Sequence, residues 1–172
     1  GELDFSGFDG VVLADYNKGF LVPENIELIL KKAKDAGIDV YVDSKKNDLS
    51  CYENCIIKIN RLEFEKLKKL PESCELIVTI GQGGARWNGN VYPTQGCDVF
   101  DVCGAGDTFL ASFVYEKIIT NSIEDGIIFA NKCARLVVEK FGTYNLTPKD
   151  VLGLRQNENW NEICPQRVGI WK

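Results

Sequence analysis

A short glycine-containing turn followed by an acidic residue is the part of the sequence best suited to chemistry. The turn is Gly104-Ala105-Gly106-Asp107, and it opens an apolar run that predicts a helix over 105–119. Backbone N–H groups at a helix start have no intrahelical partner and lie at the positive end of the dipole, so they can bind a phosphate. Asp107 adds a carboxylate that can accept a proton. The pair points to phosphoryl transfer, although a tight turn with a helix-stabilising acid would use the same residues.

The composition removes most other catalytic schemes. The 172 residues include no histidine, which excludes Ser-His-Asp and Cys-His nucleophiles and most zinc-enzyme ligand sets. An acid–base catalyst in this chain must therefore use a carboxylate, Lys, Tyr or Cys. The net charge of −5 provides no overall attraction to nucleic acid or to an anionic membrane, so we expect neither as a partner.

The cysteines and the hydropathy pattern indicate a cytoplasmic protein. The seven cysteines are odd in number and form no Cys-x-x-Cys, which favours reduced, mostly buried thiols, Cys103 among them, over a disulfide framework or a zinc site. No apolar run approaches the roughly 20 residues of a membrane span, and the start lacks a signal-peptide pattern. The length suits a single domain over 1–172 with a sizeable core, its tail 155–172 unassigned.

Alternating apolar and amphipathic runs predict an α/β fold with a largely parallel sheet. Asn88-Gly89 is a strong turn signal for a small antiparallel hairpin, 85–88 against 90–92. Pro23 and Gly37 are typical of the first and last turns of one helix, and Ser122 and Thr147 of helix N-caps. The predicted strands cover 8–15, 38–43, 55–59, 75–80 and 97–100, and the predicted helices cover 23–36, 62–70, 105–119, 122–140 and 147–154.

Polar residues and glycines stand where the predicted strands end. In open α/β sheets, ligands bind at the carboxyl ends of the strands, so these residues could face one crevice. They are Asp15, Asp43, Asn60, Gly81 and Asp101. The phosphate-loop motif and the dinucleotide-fold fingerprint are both absent from the sequence. Their absence disfavours a P-loop nucleoside triphosphatase and an oxidoreductase of the dinucleotide-binding fold.

Four segments, in order, resemble the ribokinase-like (phosphofructokinase-B type) carbohydrate kinases. Residues 101–109, D-V-C-G-A-G-D-T-F, are similar to the family signature D-T-x-G-A-G-D-x-F, with Val102 in place of the usual Thr. The other segments are Asn60-Arg61-Leu62-Glu63 for N-x-x-E, residues 79–84 for T-x-G-x-x-G, and Ala130-Asn131 through Gly142-Thr143 for the adenine-side A-N-x-x-A … G-T. The resemblance implies a three-layer fold, with a mostly parallel sheet and helices on both faces.

The resemblance also implies a site. Asp107 would be the catalytic base, and the amides of Gly104, Ala105 and Gly106 would hold the transferred phosphoryl group. Glu63 would reach Mg²⁺ through water, and Asp101 with the carbonyl of Cys103 would bind a monovalent cation, K⁺ in many relatives. The residues implied for ATP binding are Asn60, Glu63, Thr79, Gly81, Gly84, Asn131, Gly142 and Thr143.

Within the family, three segments are similar to the bacterial D-glycero-D-manno-heptose-7-phosphate kinases. They are Leu13–Gly19, Val42–Lys45 and Asn60–Glu65, with Ser44 in place of the usual Pro. The resemblance implies a sugar or sugar-phosphate substrate, such as heptose 7-phosphate. It also implies weaker candidates for contact with that substrate or with phosphate, namely Asp15, Lys18, Asp43 and Lys45.

The resemblance covers residues 8–145 and corresponds only to the second half of family members. We therefore expect the N-terminal sugar-binding part and its β-sheet lid to be missing from this sequence. A missing N-terminal segment, or a second chain in a homodimer, would supply them. Two functions stay open, the catalytic half of a sugar kinase and a non-catalytic nucleotide-binding or scaffolding module. The retention of Asp107 favours the kinase.

Most of the implied site residues also have a purely structural interpretation. Asn60 and Glu63 fit a helix capping box, which can coexist with a role in binding. Asp15 and Asp43 could cap the turns that follow them. Asn131 could be a buried polar helix residue, and Lys18 and Lys45 could be solvated surface charges.

Overall fold

The computed structural model describes residues 3–96, 98–140, 142 and 144–156. The chain divides into two compact units, Gly1–Val78 and Thr79–Lys172. The strands are β1 (Gly10–Asp15), β2 (Asp39–Ser44), β3 (Ile56–Asn60), β4 (Glu75–Thr79), β5 (Ala85–Trp87) and β6 (Asn90–Tyr92), and the helices are α1 (Pro23–Ala36), α2 (Arg61–Glu65), α3 (Ala105–Thr120), α4 (Ile123–Val138) and α5 (Pro148–Gln156). The predicted α/β fold is confirmed. The prediction of one domain over 1–172 stays a prediction, and residues 157–172 of the tail lie outside the described residues.

The first unit is built on a parallel sheet. β1 pairs with β2 and β2 with β3, both in parallel, and the strand order is β1-β2-β3-β4. Residues 40–44 of β2 are buried on both faces, as expected for an inner parallel strand. α1 buries Ile26, Ile29 and Ala33, begins at a proline and ends at Gly37, whose φ of 71° is left-handed. Asp15, Asp43 and Asn60 therefore lie at or next to the carboxyl ends of neighbouring parallel strands.

Two predicted elements are wrong in extent or kind. The helix predicted over 62–70 ends at Glu65, because the backbone beyond it pairs with an earlier loop: the Lys68 N–H donates to the Asn47 carbonyl at 2.7 Å, and the Leu49 N–H donates to the Lys69 carbonyl at 3.0 Å. Residues 98–100 form no strand, and Cys97 lies outside the described residues. The Phe100 N–H donates instead to the Val138 carbonyl at the end of α4, at 2.8 Å.

The second unit joins a β-hairpin to a helix pair. β5 and β6 pair antiparallel across Asn88-Gly89, both with positive φ, which confirms the predicted hairpin turn. α3 and α4 pack closely at Gly126, where a Cβ would lie 2.9 Å from the Phe113 ring. α5 is tied to α3 by the Arg155 guanidinium, which donates to Glu116 Oε2 at 2.8 Å. Ser122 accepts from the Asp125 N–H and Thr147 from the Asp150 N–H, so both predicted N-caps are confirmed.

The five described cysteines are reduced, and they differ in burial. Cys51, Cys55, Cys74, Cys103 and Cys133 are all free thiols. Cys55 and Cys133 are buried, and burial raises the pKa of the Cys133 thiol to about 11. Cys103 is exposed, so the expectation that it is buried was wrong, because the loop before α3 leaves it at the surface. Within the described part of the chain, no helix combines the length and the apolar character needed to cross a membrane.

Candidate active site

The turn before α3 leaves backbone donors unused at the helix start. Gly104 is the N-cap residue, and its φ of 76° needs the conformational freedom of glycine. The Thr108 N–H donates to the Gly104 carbonyl at 2.9 Å, which is the first bond of the helix. The amides of Gly106 and Asp107 precede that bond and have no helical acceptor. Asp107 is exposed in the same turn, so its carboxylate and two amides without a helical acceptor lie together at the start of α3.

Asp101 holds the loop that leads into this turn. Its Oδ1 accepts the Cys103 N–H at 2.8 Å, which fixes the backbone just before Gly104. Half-buried Asp101 therefore has a structural role beside the cation site predicted for it. Among the residues that the structure describes, no cluster of three or more Cys, Asp or Glu side chains could hold a metal ion by itself.

A cavity of about 190 Å³ in the second unit gathers the predicted nucleotide residues. It includes Thr79, Gly81, Gly84 and Asn131, from three separate parts of the sequence. Ala105 and Gly106 of the helix-start turn line the same cavity. The other lining residues are Gln82, Thr94, Val99, Val102, Phe109, Ala134, Arg135 and Val138. Six residues predicted from sequence motifs are thus brought to one cavity.

One wall of the cavity depends on close backbone packing at Gly84. Gly81–Gly83 form a single 3₁₀ turn, and the Ile80 N–H donates to the Gly84 carbonyl at 2.9 Å. A Cβ at Gly84 would lie 2.0 Å from the Tyr92 carbonyl oxygen. That same oxygen accepts Asn131 Nδ2 at 2.9 Å, so the buried Asn131 amide ties α4 to β6. The structural interpretation of Asn131 therefore holds, while the residue also lines the cavity.

Several lining residues were missed by the sequence interpretation. Ala134, Arg135 and Val138 follow the predicted Asn131 at the i+3, i+4 and i+7 positions of one helix face, and this spacing was the available signal. Val99 and Val102 come from an irregular loop that has no periodicity to read. Gly142 has a φ of 71° but is not among the lining residues, and Thr143 lies outside the described residues.

In the first unit, charged side chains at the strand ends form a connected chain. Asp43 pairs with Lys58 at 2.7 Å and with Lys45 at 3.2 Å, and Lys45 pairs with Glu63 at 2.6 Å. Burial by itself would lower the pKa of Lys45, but the hydrogen bond to Glu63 and the charge of Asp43 outweigh it and raise that pKa. Lys58 is almost fully buried and was not predicted, because a lysine between isoleucines in a strand carries no motif.

Asn60 and Glu63 form a complete capping box. The Asn60 N–H donates to Glu63 Oε2 at 2.7 Å, and the Glu63 N–H donates to Asn60 Oδ1 at 2.9 Å. The structural interpretation of this pair is therefore confirmed. Lys45 occupies Oε1 of the same carboxylate, so both oxygens of Glu63 already have partners.

Asp15 is buried at the end of β1 inside a hydrogen-bonded network. It pairs with Lys46 at 2.8 Å, and it accepts from the Tyr52 hydroxyl and from the Asn17 N–H. Burial would raise the pKa of Asp15, but these hydrogen bonds outweigh it and hold the pKa below its ordinary value. The lysine that pairs with Asp15 is Lys46, which was not predicted as a site residue. Lys18, predicted to contact substrate or phosphate, is exposed. Lys46 also donates to the Leu21 carbonyl, which holds the loop after β1.

Replacing Asp15 by asparagine is expected to lower the free energy of unfolding at pH 7 by about 1–3 kcal/mol, because the buried ion pair and its hydrogen bonds lose the charge. A lowered pKa means that the carboxylate stabilises the fold above its unfolded pKa of about 3.9, and that this stabilisation is lost as the pH falls through the folded pKa. The difference between wild type and Asp15→Asn should therefore shrink near pH 3. Urea unfolding of both proteins at pH 7 and near pH 3 measures this difference in unfolding free energy.

The control for this experiment is Asp35→Asn, which changes an exposed carboxylate on α1. It should leave the unfolding free energy within about 0.5 kcal/mol of wild type. A loss of stability in Asp15→Asn that is equally large at pH 7 and near pH 3 would show that the charge of Asp15 is not what stabilises the network.

Comparison with known proteins agrees with these motifs. The bifunctional protein HldE of Sulfurimonas denitrificans is 31% identical over 170 residues, which cover 86% of this chain and 36% of that protein. The HldE protein of Campylobacter jejuni (strain RM1221) is 34% identical over 164 residues, covering 81% of this chain and 35% of its own length. The chain thus spans about a third of the length of these curated relatives.

Solved structures with the same fold include a ribokinase and a phosphofructokinase. Arabidopsis thaliana ribokinase complexed with ribose and ATP matches with a TM-score of 0.67 and 23% identity, over 85% of this chain and 55% of the ribokinase. Escherichia coli phosphofructokinase-2 in complex with potassium matches with a TM-score of 0.71 and 18% identity, over 86% and 56%. The predicted ribokinase-like fold is confirmed by these matches. The family model described as pfkB family carbohydrate kinase matches residues 21–150, and the chain belongs to that family.

Proposed function

We propose that the chain is the nucleotide-binding and catalytic part of a kinase that transfers the γ-phosphoryl group of ATP to a hydroxyl of a sugar or sugar phosphate. The observation that carries the proposal is the cavity in the second unit. It brings the Thr79–Gly84 turn and Asn131 together with Ala105 and Gly106, next to the free amides and the carboxylate of Asp107. A nucleotide bound there would present its phosphates to the start of α3.

In the proposed reaction, Asp107 accepts the proton of the attacking hydroxyl. Its side chain is exposed in the first turn of α3, where a substrate can reach it. The backbone amides of Gly106 and Asp107 hold the negative charge that develops on the transferred phosphoryl oxygens, whereas the Ala105 N–H already donates to the Val102 carbonyl at 3.2 Å. The positive end of the helix dipole adds to this stabilisation.

Glu63 and Asp101 are the residues proposed to bind cations, and each already has protein partners for one or both carboxylate oxygens. Both oxygens of Glu63 have protein partners, so Glu63 would act on Mg²⁺ through water. Mg²⁺, when bound with ATP, neutralises phosphate charge. One oxygen of Asp101 is used by the Cys103 N–H, and its second oxygen with the Cys103 carbonyl would serve a monovalent cation such as K⁺.

For the acceptor, we propose a sugar phosphate, with heptose 7-phosphate as the first candidate. The support is the resemblance of Leu13–Gly19 and Val42–Lys45 to heptose-7-phosphate kinases and the similarity to HldE proteins. Lys18 is exposed after β1, and Lys45 can exchange its carboxylate partners for a phosphate as a point charge. We further propose that a cytoplasmic full-length protein, or a homodimer of it, completes the sugar site.

The alternative is a nucleotide-binding or scaffolding module that has lost catalysis. The observation in its favour is that the capping box and the Asp43–Lys45–Glu63 ion pairs account for Asn60, Glu63 and Lys45 without any ligand. ADP release by the full-length protein, with ATP and Mg²⁺, distinguishes the two functions. Heptose 7-phosphate, fructose, ribose and nucleosides would be tested as acceptors. Acceptor-dependent ADP release is expected of the kinase. Nucleotide binding without ADP release in the presence of any of these acceptors would favour the module.

A further inference from the structure

Arg135 is the one charged side chain among the described residues that line the cavity of the second unit. It projects from the same face of α4 as Asn131, Ala134 and Val138. None of the motifs in the sequence assigns it a role. Because the Arg135 side chain lines the cavity, it is close enough to a bound nucleotide to be considered as a ligand contact.

The guanidinium of Arg135 is held in place by two side chains. Its Nε donates to Glu139 Oε1 at 2.8 Å, and its Nη1 donates to Gln95 Oε1 at 2.5 Å. An arginine has five N–H donors, so three remain after these two bonds. Since the side chain is only 32% exposed and already anchored, a ligand bond would cost little additional side-chain entropy.

The character of the cavity suits a base better than a phosphate next to Arg135. Apolar side chains make up much of its lining, and the volume of about 190 Å³ is smaller than that of a typical whole-ligand site. Apolar walls favour the flat faces of a ring, whereas the amides of Gly106 and Asp107 at the start of α3 provide the separate anion-binding end. The apolar residues are Val99, Val102, Phe109, Ala134 and Val138.

We propose that Arg135 reads the base of the bound nucleotide and makes this cavity accept guanine nucleotides at least as tightly as adenine nucleotides. Guanine presents two acceptors, O6 and N7, to which an arginine can donate simultaneously. Adenine presents one acceptor, N7, beside its N6 amino donor, which opposes a second arginine N–H. The inference rests on the proposed function, because it requires a nucleotide in the cavity, and it extends the phosphoryl donor from ATP to GTP.

Titration calorimetry on the full chain with GDP and with ADP tests the proposal. Wild type should bind GDP with a Kd equal to or below that for ADP. Arg135→Ala should weaken GDP binding about 10-fold, the loss expected for one bidentate base contact, and should change ADP binding less than about 3-fold. Arg135→Lys keeps the charge but loses the planar pair of donors, so it should behave like Arg135→Ala toward GDP.

The matched control is Lys132→Ala, which removes a cation from α4 at a position outside the cavity lining and should leave both affinities unchanged. Equal weakening of GDP and ADP in Arg135→Ala, rescued by Arg135→Lys, would assign Arg135 to phosphate binding and overturn the proposal. GDP binding to wild type that is weaker than ADP binding would overturn it too, and leave the kinase function standing. Binding of neither nucleotide would overturn both. Should Arg135→Ala fail to fold, Arg135→Gln supplies the same comparison.

Discussion

Replacing Asp107 by asparagine is expected to lower kcat for ATP-dependent phosphorylation by about 10²–10⁴-fold in the full-length enzyme. Asparagine keeps the size and the polarity of the side chain but cannot accept the proton of the attacking hydroxyl. The Kd for ADP should change less than about 3-fold, because the cavity lining includes Ala105 and Gly106 but not the Asp107 side chain. Steady-state ADP release and calorimetry measure the two quantities separately.

The matched control for this substitution exists one helix further along the chain. Asp125 is the third residue of α4 just as Asp107 is the third residue of α3, so both carboxylates interact with a helix dipole. Asp125→Asn should cost about 0.3–1 kcal/mol of stability and leave kcat unchanged. If Asp107→Asn loses only that much stability and retains wild-type turnover, the acid serves the helix and not the reaction.

The sequence predicted best those features that depend on a few adjacent residues. Pro23 and Gly37 mark the ends of α1 because one has a fixed φ and the other can adopt a left-handed φ. Asn88-Gly89 defines its hairpin for the same kind of reason. The helix start at Gly104–Asp107 also belongs to this class, which is why the central part of the candidate site was predictable.

Most of the wrong or missing predictions involve partners that are distant in sequence. The helix beyond Glu65 is replaced by pairing with residues 47–49, and no pattern within 62–70 indicates such a partner. Lys58 is stabilised in the core by Asp43, fifteen residues earlier, and Arg135 is anchored by Gln95, forty residues earlier. Local preference is a weak guide when tertiary contacts supply the compensating hydrogen bonds.

The Asn131–Tyr92 contact shows how local and distant effects meet at the cavity. The Asn131 amide donates to the Tyr92 carbonyl, and the same oxygen is the atom nearest to where a Gly84 side chain would start. The glycine of the turn, the hairpin strand and α4 thus meet at one backbone group. A change at Gly84 must therefore affect the fold and the nucleotide cavity together.

Replacing Gly84 by alanine is expected to destabilise the protein by about 2–5 kcal/mol. The residue has a φ of 88°, which costs an L-residue roughly 1–2 kcal/mol, and its new Cβ would lie 2.0 Å from the Tyr92 oxygen and 2.9 Å from the Thr94 nitrogen. Both neighbours are backbone atoms, so the strand itself must move, and overpacking of this kind adds about 1–3 kcal/mol. Urea unfolding measures the loss.

Gly89→Ala separates the two contributions to this cost. Gly89 also has a positive φ, 76°, but nothing lies within 4 Å of its added Cβ, so Gly89→Ala should lose only the roughly 1–2 kcal/mol of backbone strain. Displacement of Tyr92 removes the partner of the Asn131 amide. A Gly84→Ala variant that folds should therefore also bind ADP at least about 10-fold more weakly than wild type. The Gly89→Ala variant should bind ADP normally. Equal stability of the two variants would contradict the close backbone approach at Gly84, and normal ADP affinity in folded Gly84→Ala would separate this turn from nucleotide binding.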